Sequence, residues 1–351
     1  MSYSKNPNKK SVEQLVAKHK KHQKKLSAKT LVPQILKGNK TALSEAITIL
    51  ESAQANHQKI AADILHEALP HAGKSIRIGI TGVPGVGKST FIESFGLYLI
   101  QHGKKVAVLA IDPSSEKSKG SILGDKTRMN NLAIQEQAFI RPSSSRGSLG
   151  GVAQNTRESI LLCEAAGFDV ILIETVGVGQ SEIAVHSMSD FFLLLMLAGA
   201  GDELQGIKRG IIEMADALVI TKTDGKNIAA SNLARSQYKS ALHLFPINKN
   251  NWAPQVETIS ALENKGIDKV WKIIQDFEQK TKANGHFDIK RNEQQLYWMH
   301  ESVKEKILSE FYQNDETKKI IAKVSKDLIN GKITSQEAAK KIINTHGKTK
   351  L

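Results

Sequence analysis

Ile76-Arg-Ile-Gly-Ile-Thr81, followed by Gly82-Val83-Pro84-Gly85-Val86-Gly87-Lys88-Ser89-Thr90, is the stretch that decides the fold. The first six residues read as a short apolar strand and the last two open a helix. The loop between them matches G-x-x-x-x-G-K-[ST] in the strand–loop–helix context that the motif requires. Its glycines let successive backbone N–H groups turn inward around phosphate oxygens, and the helix N-terminus adds a favourable dipole. Lys88 then reaches the β- and γ-phosphates, and the Ser89 hydroxyl serves as a Mg²⁺ ligand. Gly82 through Thr90 are therefore the expected phosphate-binding residues of a nucleoside triphosphate site.

Outward from this stretch, short β-rich runs alternate with helical segments: 105–112, 168–174, 191–197, 217–221 and 242–247. Such alternation predicts βαβ units and a mostly parallel sheet flanked by helices. Before it, apolar residues at helical spacing over 41–69 predict a helical lead-in. After Trp271 the strands stop, and amphipathic patterns predict helices near 294–312, 317–329 and 335–343. The expected organisation is a basic arm over 1–28, a helical lead-in over 29–72, a nucleotide-binding α/β domain over 73–280 and a helical region over 281–351.

Three further motifs carry chemistry. Phe168-Asp-Val-Ile-Leu-Ile-Glu174 is an apolar strand that delivers a carboxylate beside the phosphates, where it orients Mg²⁺ and its waters, and Gly177 can offer its N–H to the γ-phosphate. The long Glu174 side chain suits action through a water or on the nucleophile; the bland alternative is a strand-end charge. Ala217-Leu-Val-Ile-Thr221-Lys222-Thr223-Asp224 is a strand followed by a variant of the N-K-x-D guanine motif. Asp224 can accept from guanine N1–H and N2–H₂, and the Lys222 stem can cover the base. Thr221 replaces the usual Asn, keeping a hydroxyl and losing the amide. Ser260-Ala261-Leu262 resembles the loop that supports the base from its other side, so the order of motifs favours guanine over adenine, with a helix cap at Asp224 as the alternative. Asp112 and Asp125 fall where each is either a metal-site acid or a turn acid, and Arg128 and Arg146 either stabilise charge or are surface arginines. The candidate catalytic set is Lys88, Asp125, Glu174 and Gly177, and the candidate Mg²⁺ set is Ser89, Asp112, Asp125 and Glu174.

Composition excludes several other classes. The 351 residues include 40% hydrophobic and 24% charged residues with 25 Gly and 8 Pro, an ordinary globular mixture rather than collagen-like or disordered sequence. One cysteine, Cys163, forms no internal disulfide and no multi-cysteine zinc cage, which fits a reducing, cytoplasmic setting. The net charge of +14 resides mostly in the first 40 residues, where eleven lysines face the single acid Glu13, leaving +4 elsewhere. A nucleic-acid role is disfavoured because the arm lacks interleaved aromatics; it reads as a solvated tail, with weak polyanion binding as the second reading. The longest apolar run, 191–201, is far short of the roughly 20 residues that span a bilayer, so no membrane role is expected. The Lys- and Asn-rich start predicts no secretory signal, and its lack of Arg disfavours mitochondrial import.

Gly82–Thr90, Gly124-Asp-Lys-Thr-Arg-Met129, Arg141-Pro-Ser143, Leu149-Gly-Gly151, Glu174-Thr-Val-Gly-Val-Gly-Gln-Ser-Glu182 and Ala198-Gly-Ala-Gly-Asp-Glu-Leu-Gln-Gly-Ile-Lys208 together resemble the methylmalonyl-CoA mutase-associated GTPases of the MeaB/ArgK type, over about Leu31 to Ile343. That resemblance implies a P-loop GTPase that binds GTP and GDP with Mg²⁺, hydrolyses slowly until a partner stimulates it, and forms a homodimer through its C-terminal helices. It implies a chaperone that gates adenosylcobalamin loading of an acyl-CoA mutase and protects that enzyme, without itself holding cobalamin. It places Asp112, Asp125 and Glu174 at the Mg²⁺ and switch carboxylates, and Asp202, Gln205 and Lys208 on a switch facing the mutase. Thr221 and the Lys-rich arm depart from the pattern. Two other functions compete: a kinase of transport proteins, for which no acceptor-site base is visible, and a nickel-insertion GTPase, which should show a Cys/His cluster that Cys163 does not supply.

Overall fold

The computed structural model describes residues 26–111, 129–142, 149–175, 181–199, 209–243 and 250–348. Asp112, Asp125, Arg128, Arg146, Gly177, Asp202, Gln205 and Lys208 lie outside the described residues. The chain forms two compact units, one reaching Arg291 and one starting at Asn292; the sequence reading drew its line at 280.

Three helices lead the first unit: α1 (Ala28–Leu36), α2 (Lys40–Leu50) and α3 (Ala55–Ala68). Asn39 caps α2 by accepting the N–H groups of Thr41 and Ala42 at 2.9 and 3.1 Å, satisfying two of the orphan donors of its first turn. The expected helical stretch over 41–69 is thus two helices, broken after Leu50.

The sheet contains β1 (Ile76–Gly82), β2 (Val106–Ile111), β3 (Ala138–Pro142), β4 (Val170–Thr175), β5 (Phe191–Leu197), β6 (Ala217–Thr221) and β7 (Gln255–Thr258). All are parallel, in the order β3-β2-β4-β1-β5-β6-β7. The connecting helices are α4 (Lys88–Gln101), α5 (Asn130–Ala133), α6 (Leu149–Ala165), α7 (Ser181–His186), α8 (Arg209–Met214), α9 (Ile228–Leu242) and α10 (Ile267–Ala283). Strand order reverses direction around β1, so the crevice outside the carboxyl ends of β1, β4 and β5 is a topological switch point, the usual ligand position in such sheets. Register puts Glu174 beside Ile80 and Leu195 beside Gly82, which places the acid next to the phosphate loop.

One expectation is corrected in part. The strand at 242–247 does not begin at Leu242, which closes α9 and continues the buried stripe Ala234–Tyr238 packed on Val256, while 244–247 lie outside the described residues; the seventh strand of the sheet is at Gln255. Strand β3 was not foreseen.

Aromatic rings interlock within a largely aliphatic core. Phe91 stacks on Phe95 at 5.3 Å, and Phe277 of α10 meets Phe191 and Trp252 edge-on at 5.0 and 5.3 Å. Phe277→Ala should cost about 3–5 kcal/mol through the cavity it leaves.

The amino end of the sheet carries a repeated device. Asp169, Asp190 and Asp216 each stand one residue before a strand. Their carboxylates accept the N–H groups of Lys105, Arg77 and Phe192, each at the start of an adjacent strand, at 2.7, 2.8 and 2.9 Å. Arg291 forks onto Asp190, donating from Nε at 2.8 Å and Nη2 at 2.6 Å, and also reaches the carbonyls of Gly73 and Ser75. Arg77 pairs likewise with buried Glu164 at 2.9 and 3.0 Å.

Helix α11 (His286–Gln313) leads into the second unit, which continues with α12 (Asp315–Ile329) and α13 (Ser335–Lys348). Asn314 caps α12 through the N–H groups of Glu316 and Thr317, and Thr334 with Glu337 forms a reciprocal cap at the start of α13. No helix of the described residues is long and apolar enough to cross a membrane.

Candidate nucleotide site

The loop after β1 needs glycine for two separate reasons. A Cβ on Gly82 would lie 2.6 Å from the Leu195 carbonyl oxygen, so sheet packing forbids it. Gly87 has φ +97°, the left-handed region other residues rarely enter, and it turns the chain directly into α4 at Lys88. Lys88 is only 8% exposed, and its Nζ donates to the Gly82 carbonyl at 2.8 Å. Burial pulls its pKa below the ordinary lysine value, while the negative charges of Glu174 and Glu182 oppose that shift.

Glu174, 5% exposed at the end of β4, accepts from Ser89 Oγ at 3.3 Å. The next residue, Thr175, donates to Thr81 Oγ1 at 3.0 Å and fastens β4 to β1 just below the loop. A buried carboxylate beside a helix-start hydroxyl is a hard-oxygen donor pair of the kind Mg²⁺ takes. Pro84, Gly85 and Thr90 are exposed, Val83 half-buried and Val86 fully buried.

On the other side of the loop, Thr221 is 4% exposed and donates to Val86 O at 2.7 Å, with Met196 O at 3.2 Å as a second acceptor. Lys222 has φ +56° and its Nζ reaches Gly85 O at 2.8 Å. The carboxylate of Asp224 accepts from Ser260 Oγ at 2.8 Å and makes no side-chain cap on the short turn Gly225–Asn227, unlike the capping alternative weighed for it. Ser94 Oγ of α4 holds the Ala261 carbonyl at 2.7 Å, and Leu262 is 78% exposed at the tip. A Cβ on Gly266 would meet Thr258 O at 2.5 Å, so the turn closing this loop also requires glycine.

The structure therefore gathers Lys88, Ser89, Glu174, Lys222, Asp224 and Ser260 around one phosphate loop. Sequence reading missed Ser94, whose partner lies 167 residues away, and the tie from Thr221 to the loop, spanning 135 residues. No local pattern announces either. Among the described residues no cluster of three or more His, Cys, Asp or Glu could hold a metal. Cys163 is buried in α6, its thiol pushed up by burial and by neighbouring Glu164.

A parallel seven-stranded sheet with this loop at its switch point is the architecture of a P-loop GTPase. A crystal structure of an LAO/AO transport system kinase has the same architecture, with a TM-score of 0.72 and 37% identity over 91% of this chain and 97% of that one. The profile of the family described as methylmalonyl Co-A mutase-associated GTPase MeaB matches residues 43–316, and the chain belongs to that family. Among its relatives are the GTPase ArgK of Escherichia coli (strain K12), 48% identical over 81% of this chain and 86% of ArgK, and the mitochondrial methylmalonic aciduria type A homolog of Mus musculus, 44% identical over 87% of this chain and 76% of that protein.

Proposed function

We propose that this chain binds GTP and GDP with Mg²⁺, hydrolyses GTP slowly, and acts as a homodimeric chaperone. Its client would be an adenosylcobalamin-dependent acyl-CoA mutase, whose cofactor loading it gates. The nucleotide reading is carried by Asp224, held by Ser260 on the far side of the phosphate loop from Glu174. The mutase reading is supported by the family's description.

In this mechanism the backbone N–H groups of the loop hold the phosphates, and Lys88 exchanges its bond to Gly82 O for phosphate oxygens. Ser89 and Glu174, with Asp112 and Asp125, would hold Mg²⁺, which when bound neutralises charge developing on the β- and γ-phosphates. Glu174 orients the attacking water, and Gly177 offers its N–H to the γ-phosphate. Asp224 accepts from the guanine N1–H and N2–H₂ edge, and Lys222 covers the base. Asp202, Gln205 and Lys208 carry the nucleotide state to the mutase. Homodimerisation is supported by the apolar residues Leu296, Met299, Val303 and Ile307, exposed along one face of α11.

Calorimetry tests the nucleotide. GTP and GDP should bind more tightly than ATP by up to about 10⁴-fold, because adenine leaves the Asp224 acceptors unpaired. Equal affinities would sink the guanine reading and favour a kinase. Phosphate release should run on the order of 10⁻² per second or below, and faster with mutase present; no stimulation by the mutase would count against the chaperone role.

A further inference from the structure

Two consecutive side chains of the base motif grip two consecutive carbonyls of the phosphate loop: Thr221 Oγ1 holds Val86 O at 2.7 Å, and Lys222 Nζ holds Gly85 O at 2.8 Å. The Thr221 contact has a directional consequence. The Val86–Gly87 peptide is planar and trans, so drawing its carbonyl toward β6 turns the Gly87 N–H to the opposite side. At Gly87, φ +97° then leads straight into α4, so the hydroxyl of Thr221 sets the aim of a backbone donor at the entrance to that helix.

Proton counting limits what else Thr221 can donate to. A threonine hydroxyl carries one proton, whereas the amide of an asparagine carries two donors. Both acceptors within reach of Thr221, Val86 O and Met196 O, are backbone carbonyls, and the side chain is buried. Whichever carbonyl takes the proton, none is left for a purine. We propose that Thr221 is a positioning residue that clasps the phosphate loop to the base strand and donates no hydrogen bond to the base, so that base selection rests on Asp224 backed by Ser260. This inference rests on the GTP reading above and extends it.

The test uses the full chain and its Thr221→Val, Thr221→Ser, Thr221→Asn and Asp224→Ala variants. Calorimetry would measure GDP, GTP, ATP and 7-deaza-GDP, in which purine N7, an acceptor, is replaced by C–H. Thr221→Val should weaken GDP and GTP alike by about tenfold, the usual effect of orphaning a buried carbonyl, with the GTP-to-ATP preference within twofold of the parent. Thr221→Ser should bring affinity back to within threefold of the parent. The parent should bind GDP and 7-deaza-GDP equally, and Thr221→Asn, with its spare donor, should come to prefer GDP. Parent-like GDP affinity in Thr221→Val would overturn the clasp, and so would a parent that already discriminates against 7-deaza-GDP. If Thr221→Val fails to fold, the 7-deaza comparison in the parent and in Thr221→Asn still decides. Asp224→Ala isolates the underlying reading: an unchanged GTP-to-ATP preference there removes guanine recognition, whatever Thr221 does.

Discussion

The two ends of the central sheet both bury charge, and they use it differently. At the amino end, Asp190 is met by the guanidinium fork of Arg291 and by the Arg77 N–H, while Glu164 is met by Arg77 and by the N–H of Gly73. These are charge-assisted, bidentate contacts between parts of the scaffold. At the carboxyl end, the ammonium of Lys88 rests on carbonyls of its own glycine-bearing loop, and Glu174 takes a long bond from Ser89. Buried charge alone therefore does not mark a site. The difference lies in the partners: Arg–carboxylate forks at the amino end, loop carbonyls and a helix-start hydroxyl at the carboxyl end.

The largest test of this contrast is Lys88→Ala. Phosphate release should fall by at least about a thousandfold, since charge stabilisation at the transferring phosphoryl group is lost, while the melting temperature moves by only a few degrees. A collapse in stability would mean that the lysine is a scaffold charge like those at the other end. Arg291→Ala should do the reverse. It strands the buried Asp190 carboxylate, costing about 3–5 kcal/mol of unfolding free energy, with GDP affinity within twofold of the parent. Adding Asp190→Asn should recover part of that loss, because the amide oxygen still accepts the Arg77 N–H. A weakened nucleotide site in Arg291→Ala would show the ends to be coupled.

A smaller effect comes from His186, at the end of the helix that joins the two regions. Burial, with Lys290 nearby, pulls its pKa down to about 4, and its ring packs edge-on to Phe192. The folded protein keeps the imidazole neutral while the unfolded chain takes up a proton below about pH 6.5. Stability from this residue is therefore complete above that pH and declines as pH falls toward 4, by on the order of 1–3 kcal/mol. Urea midpoints at pH 5 and 7 should differ less in His186→Leu than in the parent; an identical difference would show that other groups carry the acid sensitivity.

Legibility in the sequence followed the range of the interactions. The phosphate loop declares itself because its residues act on one another within nine positions, and Glu174 because an apolar strand ends on it. Strand β3 escaped because Phe139-Ile-Arg-Pro142 is short and polar at its exit, as suits a sheet edge. Leu242 misled because a helix stripe and a buried strand look alike over a few residues. The replacement at Thr221 was visible but its meaning was not, since Val86 is brought to it only by the sheet. One signal was present and went unread: an aspartate directly before each of three strands, at 169, 190 and 216, spells out the amino-end capping device.

Cys163 has a practical consequence for anyone labelling this protein. It is the chain's single cysteine and it is buried, with the burial that raises its pKa also suppressing the nucleophilic thiolate. A maleimide dye should therefore pass it by while α6 stays packed. A cysteine introduced at Ile134, 80% exposed, would take up the fluorophore alone, with no native thiol to remove first. The rate at which Cys163 itself becomes reactive then serves as a built-in clock for opening of the packing around α6.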